Sequence, residues 1–162
     1  MSGTGRICTL RLRQYYKAMS EVDADAYEKF LGALRLRYFS PREITRYAES
    51  VRNGVKNELP AEDLWENLVP TLWVLDQLRH YTKRPIRLIS SFRSKEYNKI
   101  VGGTRNSTHK VNQAIDFQMD GMSPNAAFNA LLRMRKAGCF VGGIGQYSTF
   151  THVDTRDSIA TW

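Results

Sequence analysis

The residues whose types and spacing could support chemistry are two histidines and two aspartates in the second half of the chain. His109 precedes Asp116 by seven residues, and His152 lies two residues before Asp154. Two imidazoles and one carboxylate form a ligand set that suits Zn²⁺, and three protein ligands leave a fourth position for water, whose pKa such a site lowers to about 7. On spacing alone, structural roles near turns are the commoner explanation, and both interpretations stay open at this point.

The elements that must position these residues follow from hydrophobic periodicity and turn signals. Four short strands are predicted, at 86–90, 114–119, 144–147 and 151–154. Asp116 then lies in one strand, and His152 and Asp154 lie in another. Because side chains two residues apart on a strand point to the same side, His152 and Asp154 should face the same site.

Helices are predicted ahead of these strands and between them. The stretch 11–36 carries apolar residues at helical spacing, and 60–81 does so with a kink or break at Pro70. A capping box at Ser40 should start a helix that ends at the C-cap signal 53–54. Further helices are predicted over 94–100 and from the Ser123 cap to Gly138. Helices first, followed by a small sheet with packed helices, indicate an α+β fold.

Composition limits the class of protein. The 162 residues suit a single domain, and 24 basic against 16 acidic residues give a net charge of +8, which favours an anionic partner such as nucleic acid or a cell-wall polymer. Apolar runs are too short for a membrane span, and no signal peptide is visible, so neither a membrane protein nor Sec export is expected. Cys8 and Cys139 are too few for a disulfide framework and are expected to be buried thiols.

Several short motifs, in a fixed order, resemble the zinc D-alanyl-D-alanine carboxypeptidases, which belong with the hedgehog-like peptidoglycan peptidases of bacteria and phages. The resemblance covers about three quarters of the chain, from Tyr38 to Asp157. It is carried by Ser91-Phe92-Arg93-Ser94, Tyr97-Asn98, Val101-Gly102-Gly103, Ser107-Thr108-His109, Ala114-Ile115-Asp116, Gly143-Ile144-Gly145-Gln146-Tyr147 and His152-Val153-Asp154.

The resemblance implies a role for individual residues. His109, Asp116 and His152 would ligate Zn²⁺. Arg93 matches an arginine that faces the substrate, and its planar fork suits a carboxylate or an oxyanion; a surface salt bridge is the alternative. Ser107 would lie near substrate or form a turn, and Tyr147 would offer a hydroxyl to the transition state or belong to the core. These three residues complete the candidate site.

Two positions depart from the family pattern. Related branches carry a glutamate general base three residues before the second histidine ligand, where this chain has Thr149. Asp154 is the nearest acidic candidate, either as the base or as a carboxylate that orients a histidine. Asn112 stands where the ligand loop often has glycine.

The expected protein is a zinc-dependent peptidase that cleaves peptidoglycan stem peptides, as a carboxypeptidase or an endopeptidase. The resemblance implies a small, mainly antiparallel sheet with flanking helices, in which residues 1–37 form a helical extension of the peptidase-like domain 38–162. We expect a monomer made in the cytoplasm that meets the cell wall through phage lysis or as part of a virion.

Two other functions compete with this expectation. One is a non-catalytic module of the same fold that binds cell wall or protein, favoured by the threonine at 149. The other is a nucleic-acid binder that uses the basic helices around Arg11, Arg13, Arg35 and Arg37. Because those arginines alternate with apolar residues at helical spacing, a solvated amphipathic face explains them more simply, and nucleic acid is not the expected partner.

Overall fold

The structure, a computed structural model, describes residues 23–162. Residues 11–22 of the helical stretch predicted over 11–36, which include Arg11 and Arg13, lie outside this range, as does Cys8. The α-helices of the described range are α1 (Ala24–Ala33), α2 (Pro41–Thr45), α3 (Val69–Thr82), α4 (Lys95–Ile100) and α5 (Pro124–Lys136). Shorter 3-10 helices cover Arg46–Glu49, Glu62–Leu68 and Thr108–Val111.

A five-stranded sheet forms the centre of the molecule. Its strands are β3 (Ile86–Ser90), β4 (Ala114–Met119), β5 (Gly143–Gln146), β6 (Thr151–Asp154) and β7 (Ala160–Thr161). They lie side by side in the order β3-β4-β6-β5-β7, and every neighbouring pair is antiparallel except β5 and β7. This architecture confirms the predicted α+β class and the mainly antiparallel sheet. The four predicted strands are present to within a residue, and β7 is an addition.

Alternation along the strands gives the sheet two chemically different faces. Ile115, Phe117 and Val153 are fully buried in the hydrophobic core, against the helices. Asp116 lies between Ile115 and Phe117 on β4, and His152 lies next to Val153 on β6. Because neighbouring side chains on a strand point to opposite faces, Asp116 and His152 project from the other face of the sheet. The strand register places Asp116 directly beside His152, and His152 directly beside Gly145 of β5.

Helices cover the apolar face and supply most of the core. Ser123 begins α5, since its side chain accepts a hydrogen bond from the Ala126 backbone, and α5 then buries Leu131 against the sheet. Each large apolar side chain buried in this way stabilises the fold by roughly 1.5–3 kcal/mol relative to exposure. The fully buried apolar side chains of α3 are Leu72, Leu75 and Leu78.

The predicted helix from Ser40 to 53–54 is wrong in its second half. Helix α2 starts at the capping box, where the Glu43 carboxylate accepts from the Ser40 backbone, but it ends at Thr45. Asn53 and Gly54 both have positive φ and form the turn of a hairpin between β1 (Val51–Arg52) and β2 (Val55–Lys56). An Asn-Gly pair favours such a turn over a helix end.

The break predicted at Pro70 is confirmed. The 3-10 helix Glu62–Leu68 gives way to α3 there, and Pro70 occupies the first turn, where its missing N–H costs no hydrogen bond. Cys139 is exposed rather than buried, because it follows Gly138 in the turn that ends α5.

Helix α1 packs on the rest of the described fold. Tyr27 and Leu31 of α1 belong to the same core as Trp65, and the division at residue 37 stays a prediction. Over residues 23–162, none of the helices is both long and apolar enough to cross a membrane.

Candidate metal centre

Three of the residues singled out from the sequence meet on the open face of the sheet. His109 comes from the 3-10 helix that precedes β4, Asp116 from β4 and His152 from β6. One potential ligand atom of each lies within 4.8 Å of the others, and all three side chains are buried. The strand register holds Asp116 opposite His152, while the loop between α4 and β4 carries His109 to them.

His109 is held with one ring nitrogen free for a ligand. Its Nδ1 donates to the backbone carbonyl of Ser91 at 2.6 Å, which leaves Nε2 as the lone-pair nitrogen of a neutral ring. That buried Nε2 lies 3.2 Å from Asp116 Oδ1 but has no aligned hydrogen-bond partner. Burial lowers the pKa of His109 and outweighs the attraction of Asp116, so the neutral ring is favoured.

Asp116 lies at the centre of the group. Its Oδ1 lies 2.8 Å from His152 Nδ1, and its Oδ2 accepts from the Arg93 guanidinium. Burial alone would raise the pKa of Asp116, but His109 and His152 outweigh it and hold that pKa well below its usual range. The ionised form of this carboxylate is therefore favoured.

His152 has a carboxylate at each ring nitrogen. Besides the contact with Asp116 at Nδ1, its Nε2 donates to Asp154 Oδ2 at 3.0 Å. Burial would lower the pKa of His152, but the hydrogen bonds to Asp116 and Asp154 reverse this and raise it. A ligand taking the place of the proton at Nδ1 would leave the bond from Nε2 to Asp154 intact.

Asp154 is fully buried, and its two oxygens are occupied. Besides His152, it accepts from the Thr108 hydroxyl at 3.3 Å and the Gly143 backbone at 3.0 Å. Arg156 grips both carboxylate oxygens with Nε and Nη2. Burial would raise the pKa of Asp154, but the Arg156 and His152 bonds hold it far below the usual range.

Sequence reasoning missed Arg156. The signal was available, because Arg156 continues the two-residue spacing of His152 and Asp154. That Arg156 pairs with the Asp154 carboxylate could be known only from the structure.

The donor set fits a zinc ion. Two imidazole nitrogens and one carboxylate oxygen lie within 4.8 Å of one another. Catalytic zinc sites use such a set of three protein ligands and keep the fourth position for water or substrate. The unpartnered Nε2 of His109 is the most direct sign, since a buried nitrogen without a partner is costly unless it binds something. The Ser91 carbonyl and Asp154 hold the other nitrogens of His109 and His152, as hydrogen-bonded partners do for metal-binding histidines.

Comparison with known families identifies the family of the part of the chain that contains this centre. Residues 37–154 match the model of a family described as peptidase M15. The chain belongs to the peptidase M15 family. This confirms the resemblance inferred from the motifs around His109, Asp116 and His152.

Curated relatives of this M15 chain include the peptidoglycan L,D-endopeptidase MepK of Escherichia coli strain K12 and its counterpart in Shigella flexneri. Each is 36% identical over 81 residues, which cover 46% of this chain and 42% of the relative. The match thus spans less than half the length of these relatives.

The remaining candidate residues have the following contacts and exposure. Arg93 is mostly buried and uses Nε for Ser90 Oγ at 2.8 Å and Nη2 for Asp116, which leaves three N–H groups free of these two contacts. Ser107 occupies the N-cap position of the 3-10 helix that carries His109, without a side-chain capping hydrogen bond. Tyr147 is half-exposed beyond the end of β5, and its hydroxyl accepts from Trp162 Nε1 at 2.9 Å.

The two departures from the family pattern have clear structural positions. Thr149 is exposed in the turn between β5 and β6, where its carbonyl accepts from Gln118. Asn112 has φ 53°, a left-handed conformation that glycine adopts freely and asparagine tolerates. Its side chain donates to the Leu64 carbonyl at 3.0 Å. The ligand loop thus keeps the turn that glycine would give and gains an anchor.

Proposed function

We propose that this protein is a zinc-dependent peptidase that cleaves peptide bonds in the stem peptides of peptidoglycan. The observation that carries the proposal is the convergence of His109, Asp116 and His152 on one point, with the buried Nε2 of His109 left without a partner. Membership of the M15 family supports the reaction class.

The three ligands would be His109 Nε2, an oxygen of Asp116 and His152 Nδ1. Zinc held there supplies Lewis acidity, which lowers the pKa of water and polarises a carbonyl. Arg93 fixes Asp116 by an ion pair and can direct its remaining N–H groups at a substrate carboxylate or a developing oxyanion.

Asp154 is assigned as a positioning residue for His152 rather than as the general base. A base must accept a proton, and a carboxylate with a strongly lowered pKa and four hydrogen-bonding partners is a poor acceptor. Its bond to His152 Nε2 instead fixes the ring so that Nδ1 faces Asp116.

The anionic cell wall suits the charge of the chain. The net charge of +8 favours encounter with an anionic polymer. The relatives act, by their name, as L,D-endopeptidases on peptidoglycan, and we assign the same class of substrate here.

A non-catalytic binding module is the second candidate. It is favoured by the same observation that argues against Asp154 as a base. Within residues 23–162, the acidic side chains at the proposed metal site are Asp116 and Asp154. Asp116 is already paired with Arg93, and Asp154 is already paired with Arg156. A module of this kind would bind stem peptides or zinc without turnover.

The test combines metal content with digestion of purified peptidoglycan. We expect about one zinc per chain and release of new peptide ends that a chelator abolishes and added zinc restores. His109→Ala should lose zinc and digestion, whereas His80→Ala, at an exposed histidine of α3, should keep both. Zinc and peptide binding without release of ends would select the binding module, and absence of zinc would overturn the zinc-dependent peptidase.

A further inference from the structure

Trp162 lies beside His152, at the end of the proposed ligand set that is farther from Arg93 along the strand order. In the order β3-β4-β6-β5-β7, Arg93 contacts Asp116 of β4, whereas Trp162 follows β7 and lies beyond β5. The indole ring centroid is 5.2 Å from that of His152. Arg93 and Trp162 therefore flank the three proposed ligands.

The indole of Trp162 is fixed on several sides. Its Nε1 donates to the Tyr147 hydroxyl at 2.9 Å, and the Arg156 guanidinium lies 5.4 Å from the ring centroid. Its backbone donates to Ile144 and accepts from Gln146. These contacts leave the ring little rotational freedom.

Gly145 makes the space that the indole occupies. A Cβ built on Gly145 would lie 2.6 Å from Trp162 Nε1 and 2.7 Å from Cε2, closer than real side chains approach. Gly145 pairs with His152 across β5 and β6. A residue with a side chain at 145 would thus push the indole away from its place beside His152.

Although it is fixed, the indole remains accessible. Trp162 is 47% exposed and Tyr147 is 41% exposed, while His152 is 5% exposed. Tyr147 in turn stacks on Phe150 at 4.3 Å between ring centroids. A held, half-exposed aromatic surface beside a buried ligand set is suited to receive an apolar group, because no side-chain entropy is lost on contact.

We propose that Trp162 and Tyr147 form an aromatic wall that binds the aliphatic side chain of the stem-peptide residue next to the cleaved bond. The inference rests on the proposed function and names the subsite that function requires. The position of Arg93 across the centre favours a peptide that presents a carboxylate on one side and methyl or methylene groups on the other.

Steady-state kinetics on a soluble stem peptide, with zinc-loaded protein, tests the wall. Trp162→Ala should raise KM about tenfold while kcat changes less than about threefold, because the contact is made equally in ground and transition states. Gly145→Ala should raise KM in the same way by displacing the indole. The double variant should be no worse than Trp162→Ala, because the glycine matters only for seating the tryptophan.

The control is Tyr81→Ala, an aromatic residue of α3 that is 75% exposed, which should leave KM unchanged. An unchanged KM in Trp162→Ala would overturn the wall. So would a loss confined to zinc content, kcat or melting temperature, which would indicate a packing role.

Fluorescence separates failure of the wall from failure of the proposed function. In Trp73→Phe protein, the remaining tryptophans are buried Trp65 and exposed Trp162. A stem peptide that binds at the wall should protect Trp162 from acrylamide quenching. If the peptide protects Trp162 but is not cleaved, the wall is upheld and the proposed catalysis is refuted. Protection only by a sugar-bearing fragment, or by no fragment, would overturn the peptide assignment.

Discussion

At the residue scale, the arrangement of Asp154 decides what that carboxylate can do. The sequence places an acid two residues after His152, which suits either a base or an orienting group. In the structure Asp154 is buried, bonded to His152 Nε2 and gripped by Arg156. A carboxylate so fully occupied orients the histidine and has no free lone pair directed at a substrate.

Asp154→Asn should therefore weaken zinc binding more than catalysis. We expect zinc affinity to fall about 10- to 100-fold, the usual effect of losing a hydrogen-bonded partner of a metal-binding histidine. At saturating zinc, kcat should stay within about tenfold of wild type, whereas loss of a general base costs about 10²- to 10⁴-fold. Chelator competition and zinc-saturated kinetics measure the two effects.

The matched control is Asp157→Asn, an exposed acid three residues along, which should change neither quantity. A loss of kcat of a thousandfold at full zinc occupancy would instead make Asp154 the base.

At the element scale, Asn112 joins the ligand loop to helix α1. It lies between His109 and Asp116, and its amide donates to the Leu64 carbonyl and to the Tyr27 hydroxyl of α1. Burial raises the pKa of Tyr27 to about 12, although the bond from Asn112 lowers it in part. The phenol is therefore neutral in the fold over a pH range where it ionises in the unfolded chain.

This difference predicts a loss of stability in alkali. Because the pKa is raised from 10.0 to about 12 on folding, the contribution is complete below pH 10 and is lost as pH rises toward 12. By pH 11 the free energy of unfolding should have fallen by about 1.4 kcal/mol through this group. Urea unfolding at pH 9 and pH 11 should show a fall in wild type that exceeds the fall in Tyr27→Phe by this amount.

Tyr27→Phe should itself cost about 1 kcal/mol at pH 9 through the lost hydrogen bond. The control Tyr81→Phe, at an exposed site, should behave as wild type. Equal pH dependence in wild type and Tyr27→Phe would contradict the buried neutral phenol.

At the scale of the whole molecule, the proposed zinc ligands come from segments that only the folded sheet brings together. His109 and Asp116 are close in the sequence, but His152 joins them through the pairing of β4 with β6. An unfolded chain cannot present all three at once, so zinc should bind the folded state and stabilise it.

Free zinc at about 100 times its Kd should raise the free energy of unfolding by about 2.7 kcal/mol. For a chain of this size, that corresponds to a rise in melting temperature of roughly 5–10 °C. Calorimetry of metal-free protein with and without zinc measures it. Mg²⁺, which prefers oxygen ligands, should have no such effect, and neither should zinc added to His152→Ala. A rise with zinc in that variant would place the ion elsewhere.

The sequence by itself determined the fold class and the main strands, because local alternation of polar and apolar residues is written along the chain. The residues of the proposed ligand set followed from the resemblance of the sequence motifs to the peptidase family, since their spacing alone left a structural role open. The tertiary structure alone decided which residues contact the side chains of the proposed site. Arg156 at Asp154, Ser91 at His109 and Trp162 over Gly145 depend on strand order and register.

The error at Asn53-Gly54 has a different origin, because the signal there was local. An Asn-Gly pair is compatible with a helix end and with a hairpin turn, and β1 and β2, which pair across it, are its immediate neighbours in the sequence. Only contacts between residues far apart in the sequence had to await the tertiary structure, since local periodicity carries no record of them.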